Sequence, residues 1–87
     1  MADQFKGKVA IVTGGASGIG HALCEALSRR GACVIVADIN TEGAQRVASA
    51  ITTAGCRARM AYLNVAKNID VRKLLDDIAS SPWGAIW

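Results

Sequence analysis

Glycines crowd one short segment of this chain, in which residues 13–20 read TGGASGIG. An apolar run (residues 9–12, VAIV) comes directly before it, and apolar residues at helical spacing follow. A strand, a glycine turn and a helix in this order hold an anion at the helix N-terminus. Gly14 permits a tight turn, Gly18 lets a phosphate approach the main chain, and Gly20 lets the helix pack close to the sheet. The segment therefore predicts a pyrophosphate site.

The rest of the chain alternates between strand-like and helix-like patterns. Apolar runs predict strands over residues 8–13, 33–37 and 57–63. Each strand is followed by a helix, with boundary signals at Gly31, Thr41, Gly55, Asn68 or Asp70, and Pro82. The inward positions of the second and third helices are predicted to be Ala44, Val47, Ala48, Ile51, Val71, Leu74, Leu75 and Ile78. The order β-α-β-α-β-α predicts the α/β class, with a Rossmann-type parallel sheet of three βα units, part of a doubly wound fold.

An acidic residue follows the second strand. Asp38 lies 18 residues after Gly20, and a carboxylate near that distance accepts hydrogen bonds from both ribose hydroxyls of an adenosine. The same carboxylate repels a 2′-phosphate, and neither Ile39 nor Ser17 offers a positive charge to hold one. The pattern therefore favours NAD over NADP. A simpler interpretation, in which Asp38 is a turn residue before Asn40, stays open.

Composition argues against several other classes. The 87 residues allow one domain, and a hydrophobic content of 52% argues against disorder. The apolar runs fall far short of the ~18 residues of a membrane span, and the N-terminus lacks the pattern of a secretory signal. The net charge of +3 comes from scattered Lys and Arg, so no nucleic-acid surface is predicted. A cytoplasmic protein is expected.

Few side chains are candidates for metal binding or other phosphate chemistry. Cys24, Cys33 and Cys56 have no metal-ligand spacing and are predicted to be reduced thiols, the first two in the core. A Walker-type loop needs a glycine followed by Lys and then Ser or Thr. Here Ile19 follows Gly18 and His21 follows Gly20, so this type of loop is excluded. His21 is predicted to be a surface side chain. No metal site is predicted.

Taken together, these residues resemble the N-terminal part of the short-chain dehydrogenase/reductase family. The matching stretches are residues 7–20, 34–38 and 63–65. The resemblance implies that the pyrophosphate and nicotinamide-ribose side is lined by Gly14, Ser17, Gly18, Ile19 and Gly20. It implies an adenosine side formed by Asp38, Ile39, Asn64 and Val65. Asn64 stands where the family has aspartate, and its carbonyl oxygen can still accept from the adenine amino group.

The resemblance also implies which family features residues 1–87 do not contain. In the family a fourth strand, a catalytic serine and a Tyr-x-x-x-Lys pair follow the third helix, and Trp87 stands where an aspartate is expected. Tyr62 does not match the tyrosine, because Ala66 occupies the position of the lysine. Residues 1–87 are thus expected to be a partial NAD-binding Rossmann domain without a catalytic residue. Its first strand would form an exposed apolar edge. The resemblance allows an oligomer for a full-length form.

Three hypotheses follow for function. In the first, the chain is an incomplete copy of an NAD-dependent oxidoreductase that transfers hydride between the nicotinamide and an alcohol or ketone; alone it would bind NAD weakly and turn over no substrate. In the second, it is a non-catalytic module that binds a nucleotide or a partner, which predicts a soluble 9.0 kDa species or a defined complex. In the third, the positive charge binds nucleic acid, which predicts a strong dependence of binding on salt.

Overall fold

The computed structural model describes residues 5–79, except for the side chains at positions 68, 78 and 79. Three strands alternate with three helices: β1 (Val9–Thr13), α1 (Gly18–Arg29), β2 (Cys33–Asp38), α2 (Thr41–Thr53), β3 (Ala58–Tyr62) and α3 (Asn68–Ala79). The strands form a parallel sheet in which β2 lies between β1 and β3. The predicted α/β class and its three βα units are confirmed.

The register of the sheet aligns the carboxyl ends of the three strands. Thr13 pairs with Ala37, and Asp38 pairs with Tyr62. The segments that follow the strands therefore leave the sheet at the same edge, which is where ligands bind in open parallel sheets.

Two apolar clusters cover the two faces of the sheet. One joins alternate residues of β2 to α1 and α2, and it contains Cys24 and all four predicted inward residues of α2. The other joins the remaining β2 residues to α3 through Leu63 and Leu74. Because β2 is covered on both faces, its apolar residues are consecutive rather than alternating. In α3 the prediction is wrong for Leu75, which is 40% exposed, while Ile78 lies outside the described side chains.

Strand β1 lies at an edge of the sheet, as the sequence predicts. Among residues 5–79 it pairs only with β2. Its side chains are better covered than expected, since Val9 and Val12 are buried and Ala10 and Ile11 are partly buried. What this edge presents is therefore a row of backbone N–H and C=O groups rather than an apolar surface.

Helix α2 is capped one residue earlier than predicted. Asn40, not Thr41, is the cap, because its side chain accepts a hydrogen bond from the N–H of Gly43 at 3.1 Å. The N–H of Asn40 is itself bound by the carboxylate of Asp38 at 3.0 Å. This second bond places Asn40 just outside the helix and leaves Thr41 as the first helical residue.

Replacing Asn40 with alanine is expected to lower the free energy of unfolding by about 1 kcal/mol, the usual contribution of an N-cap. Thr41→Ala is the matched control and should change this free energy by only a few tenths of a kcal/mol, since position 41 is not the cap. Urea unfolding followed by circular dichroism would compare the two variants. Equal losses, or a larger loss for Thr41→Ala, would contradict the assignment.

The thiol of Cys24 is fully buried, and this burial raises its pKa from 9.0 to about 11. Because the folded pKa lies above the unfolded one, the neutral thiol stabilises the fold fully below pH 9.0, and that contribution is lost as the pH rises to about 11. We expect the free energy of unfolding to fall over this interval, and to fall less in Cys24→Ala.

At neutral pH, iodoacetamide should modify the half-buried Cys56 and spare Cys24. Labelling of Cys24 in the folded protein would refute this prediction.

Candidate functional site

The loop between β1 and α1 turns sharply at Gly14 and is then tied by Ser17. Gly14 has a φ of 69°, a conformation that favours glycine. The backbone N–H and the hydroxyl of Ser17 donate to the carbonyl of Gly14 at 3.0 and 2.7 Å. The Ser17 oxygen also accepts from the N–H of Gly20 at 3.1 Å and so caps α1. Sequence reasoning placed Ser17 in the site but missed this role, although serine before a helical segment is a usual signal for a cap.

Two glycines bring the backbone into close contact at this loop. A Cβ on Gly20 would lie within 2.1 Å of the Gly14 carbonyl oxygen, so the start of α1 packs on the loop itself. This corrects the prediction that Gly20 serves the packing of the helix on the sheet. The glycine against the sheet is Gly15, where a Cβ would lie 2.6 Å from Cγ1 of Val36. Sequence reasoning missed Gly15, because the spacing of the pattern does not reveal a contact with β2.

The first turn of α1 presents two backbone donors to solvent. Among the described residues, the N–H groups of Gly18 and Ile19 have no acceptor, whereas the next two N–H groups donate to Ser17. Both residues are exposed, a Cβ on Gly18 would meet nothing within 4 Å, and the first turn carries no acidic side chain. Free donors at the positive end of a helix make a site for an anion.

His21 takes no part in this anion site. Its Nε2 lies 3.1 Å from the Glu25 carboxylate one turn along α1. It is thus the surface side chain that the sequence predicts.

Asp38 joins the end of β2 to the loop between β1 and α1, the glycine loop (residues 14–17). Its Oδ2 accepts from the N–H of Ala16, and its Oδ1 accepts from the N–H of Asn40, both at 3.0 Å. The contact with Asn40 matches the interpretation of Asp38 as a turn residue, and the contact with Ala16 was not foreseen. A carboxylate has about four acceptor positions, so two remain for a further donor.

A cleft of about 350 Å³ opens where the three strands end. It is lined by Thr13, Gly14, Asp38, Ile39, Leu63, Asn64 and Val65. Clefts of similar size, about 290 and 390 Å³, lie at the opposite end of the strands and beside β3, so volume alone does not select this one. Its position does, because it lies at the carboxyl edge of the sheet and includes the carboxylate that holds the glycine loop.

The walls of this cleft combine apolar and polar groups. Ile39 and Val65 are 59% and 65% exposed and give the cleft an apolar wall. The Oδ1 of Asn64 accepts from the N–H of Ala66 at 3.0 Å and keeps a second lone pair. The structure thus brings five of the nine predicted site residues into one cleft, and the other four, Ser17, Gly18, Ile19 and Gly20, lie on the loop and the helix that begin at its rim.

Over residues 5–79, no three His, Cys, Asp or Glu side chains are placed to hold a metal ion. In the same part of the chain, no helix is long and apolar enough to cross a membrane.

Comparisons with known proteins agree with this architecture. Residues 8–87 match the family model for short chain dehydrogenases. Cyclohexanol dehydrogenase of Acinetobacter sp. (strain SE19) is 37% identical over 86 residues, which cover 99% of this chain and 34% of that protein. Sorbitol dehydrogenase of Cereibacter sphaeroides is 44% identical over 85 residues, covering 95% of this chain and 31% of that protein.

Solved structures show the same similarity. A hydroxysteroid dehydrogenase from Escherichia coli superposes with a TM-score of 0.89 at 30% identity, over 95% of this chain and 35% of that one. The chain spans about a third of the length of these three relatives. The glycine loop, the parallel sheet and these matches together show that the chain belongs to the short-chain dehydrogenase family.

Proposed function

We propose that residues 1–87 form the nucleotide-binding part of an NAD-dependent oxidoreductase that acts on an alcohol or a ketone. The observation that carries this proposal is the pair of free N–H groups at Gly18 and Ile19, beside a cleft that contains Asp38. Two N–H groups that can bind an anion, next to a carboxylate, suit a dinucleotide, which offers a pyrophosphate and a ribose diol at neighbouring positions. The relatives named as cyclohexanol and sorbitol dehydrogenases support the substrate class.

The pyrophosphate is assigned to the first turn of α1. Gly18 and Ile19 would donate their N–H groups to its oxygens, and the positive end of the helix favours the charge. Gly14, Ser17 and Gly20 hold the loop in shape through their hydrogen bonds and close contacts. The donors are thus oriented before the nucleotide arrives, which lowers the entropy lost on binding.

The adenosine is assigned to the cleft. Asp38 would accept from the ribose hydroxyls through the lone pairs that Ala16 and Asn40 leave free. The exposed side chains of Ile39 and Val65 would pack against the adenine, and the Asn64 oxygen would accept from its amino group. The bound nicotinamide supplies the hydride chemistry, and we assign no catalytic side chain within residues 1–87.

The carboxylate of Asp38 favours NAD over NADP, because a 2′-phosphate would lie next to a negative charge. Two like charges near a protein surface repel each other by about 1–4 kcal/mol, so we expect the chain to bind NAD at least about fivefold more tightly than NADP. The free cysteines Cys24, Cys33 and Cys56 support a reducing compartment, and we propose the cytoplasm.

Titration of the ¹⁵N-labelled chain with NAD and with NADP tests this proposal. NAD is expected to shift the amide signals of Gly18, Ile19 and the residues that line the cleft, and NADP should bind more weakly. Asp38→Asn keeps the shape of the side chain and removes its charge, so it should narrow the difference between the two nucleotides. If the unmodified chain binds NAD and NADP with equal affinity, the proposed preference for NAD is wrong. If NAD shifts only the amide signals of residues on other surfaces, the assignment of the site is wrong.

A further inference from the structure

A glycine outside the cleft contacts the glycine-rich loop from the side of α2. A Cβ on Gly43 would lie 2.9 Å from the Cβ of Ala16 and 2.6 Å from Nδ2 of Asn40. Nonbonded carbon atoms normally remain about 3.5–4.0 Å apart, so a larger residue at this position requires the loop or the start of α2 to shift. Gly43 is buried and does not line the nucleotide cleft.

The backbone conformation does not explain a glycine at position 43. Its φ is not among the positive values of the chain, and it lies in the first turn of α2, where glycine lowers the helix propensity. Its N–H donates to the capping side chain of Asn40, a bond that any residue except proline could make. The close approach of Ala16 and Asn40 remains as the physical reason for a residue without a side chain.

Ala16 transmits this contact to the anion site. Its N–H is bound by the Asp38 carboxylate at 3.0 Å, so Ala16 is held between β2 and the first turn of α2. The next residue, Ser17, caps α1, and the free N–H groups of Gly18 and Ile19 follow directly. A shift of Ala16 therefore displaces the two donors as well.

We propose that Gly43 is a positioning residue for pyrophosphate binding: it lets Ala16 pack on α2 and thereby holds the N–H groups of Gly18 and Ile19 in place. This inference rests on the proposed function and adds to it a residue that touches no part of the ligand. The added methyl group of Gly43→Ala should weaken NAD binding by about tenfold, the share of one hydrogen bond to a charged group.

The test uses the 87-residue chain, with NAD as the probe. Gly43→Ala is expected to lower NAD affinity and to move the amide NMR signals of Gly18 and Ile19 before any nucleotide is added. Adding Ala16→Gly to this variant removes the opposing methyl group and should restore both properties. Ala50→Gly is the control, because it lowers the helix propensity of α2 on its exposed face and should change neither property.

Unmoved Gly18 and Ile19 signals in Gly43→Ala would overturn the proposal. So would a loss that Ala16→Gly does not restore, since the disturbed cap at Asn40 would then be its cause. If Gly43→Ala does not fold, Ala16→Val crowds the same contact from the loop side and must move the same signals. If the unmodified chain binds no NAD, the proposed function fails, and the signals of the nucleotide-free variants still decide the role of Gly43.

Discussion

Replacing Gly20 with alanine is expected to destabilise the fold and to abolish nucleotide binding. The new Cβ would lie 2.1 Å from the carbonyl oxygen of Gly14 and 2.8 Å from the Cα of Gly15. These are backbone atoms, so no side-chain rotation relieves the overlap, and the loop or the helix must move. Overpacking of this kind lowers the free energy of unfolding by about 1–3 kcal/mol, a large part of the stability of a small domain.

Gly18→Ala is the matched control for this substitution. It makes the same chemical change two residues away, where a Cβ would meet nothing within 4 Å. Its free energy of unfolding should be unchanged or slightly raised, since alanine is the better helix former. Its NAD affinity should still fall, because the methyl group occupies the place where a phosphate approaches. Urea unfolding and NAD titration would separate the two effects, and equal stability of the two variants would refute the close contact at Gly20.

Replacing Asp38 with alanine is expected to weaken both the ligand-free fold and nucleotide binding. The N–H groups of Ala16 and Asn40 would lose their acceptor, which loosens the glycine loop and the start of α2. Water can reach this half-exposed position, so we expect the free energy of unfolding to fall by about 1–2 kcal/mol. NAD affinity should fall by about tenfold to hundredfold, as for hydrogen bonds to a charged acceptor that contribute about 1.5–3 kcal/mol.

Glu42→Ala is the control for the negative charge that Asp38→Ala removes. Glu42 is exposed in the first turn of α2 and is not among the residues that line the cleft. Its replacement removes the same charge from the same region, and NAD affinity should change by no more than about twofold, as solvent screens exposed charges. If Asp38→Ala lowers stability without lowering NAD affinity, Asp38 is only a turn residue. If both substitutions weaken binding equally, general electrostatics explains the effect.

Much of the fold could be predicted from short-range patterns. The inward face of α2 follows from its apolar spacing, and the consecutive apolar residues of β2 predict burial on both faces. The turn at Gly14 and the helix ends at Gly31 and Gly55 follow from the ease with which glycine adopts a positive φ. Each of these features depends on residues that are close in the chain, so the sequence can indicate it.

Two of the errors concern a helix end and the margin of a helix face. Thr41 has the chemistry of a cap, but Asp38 binds the N–H of Asn40 and the helix starts one residue earlier than predicted. Leu75 has the right spacing for the core, yet it is 40% exposed while the adjacent Leu74 is buried. Local propensity does not choose between two adjacent residues that can both cap a helix, and apolar spacing does not determine how much of a helix face is covered.

The sequence by itself determined the order of the elements, the parallel sheet and the family to which the chain belongs. Only the tertiary structure decided how the candidate site is held together. Gly15 meets Val36 and Ala16 meets Gly43, although these pairs are far apart in the chain. Such contacts depend on how closely α1 and α2 pack beside the sheet, a distance set by many side chains together and by no single local pattern.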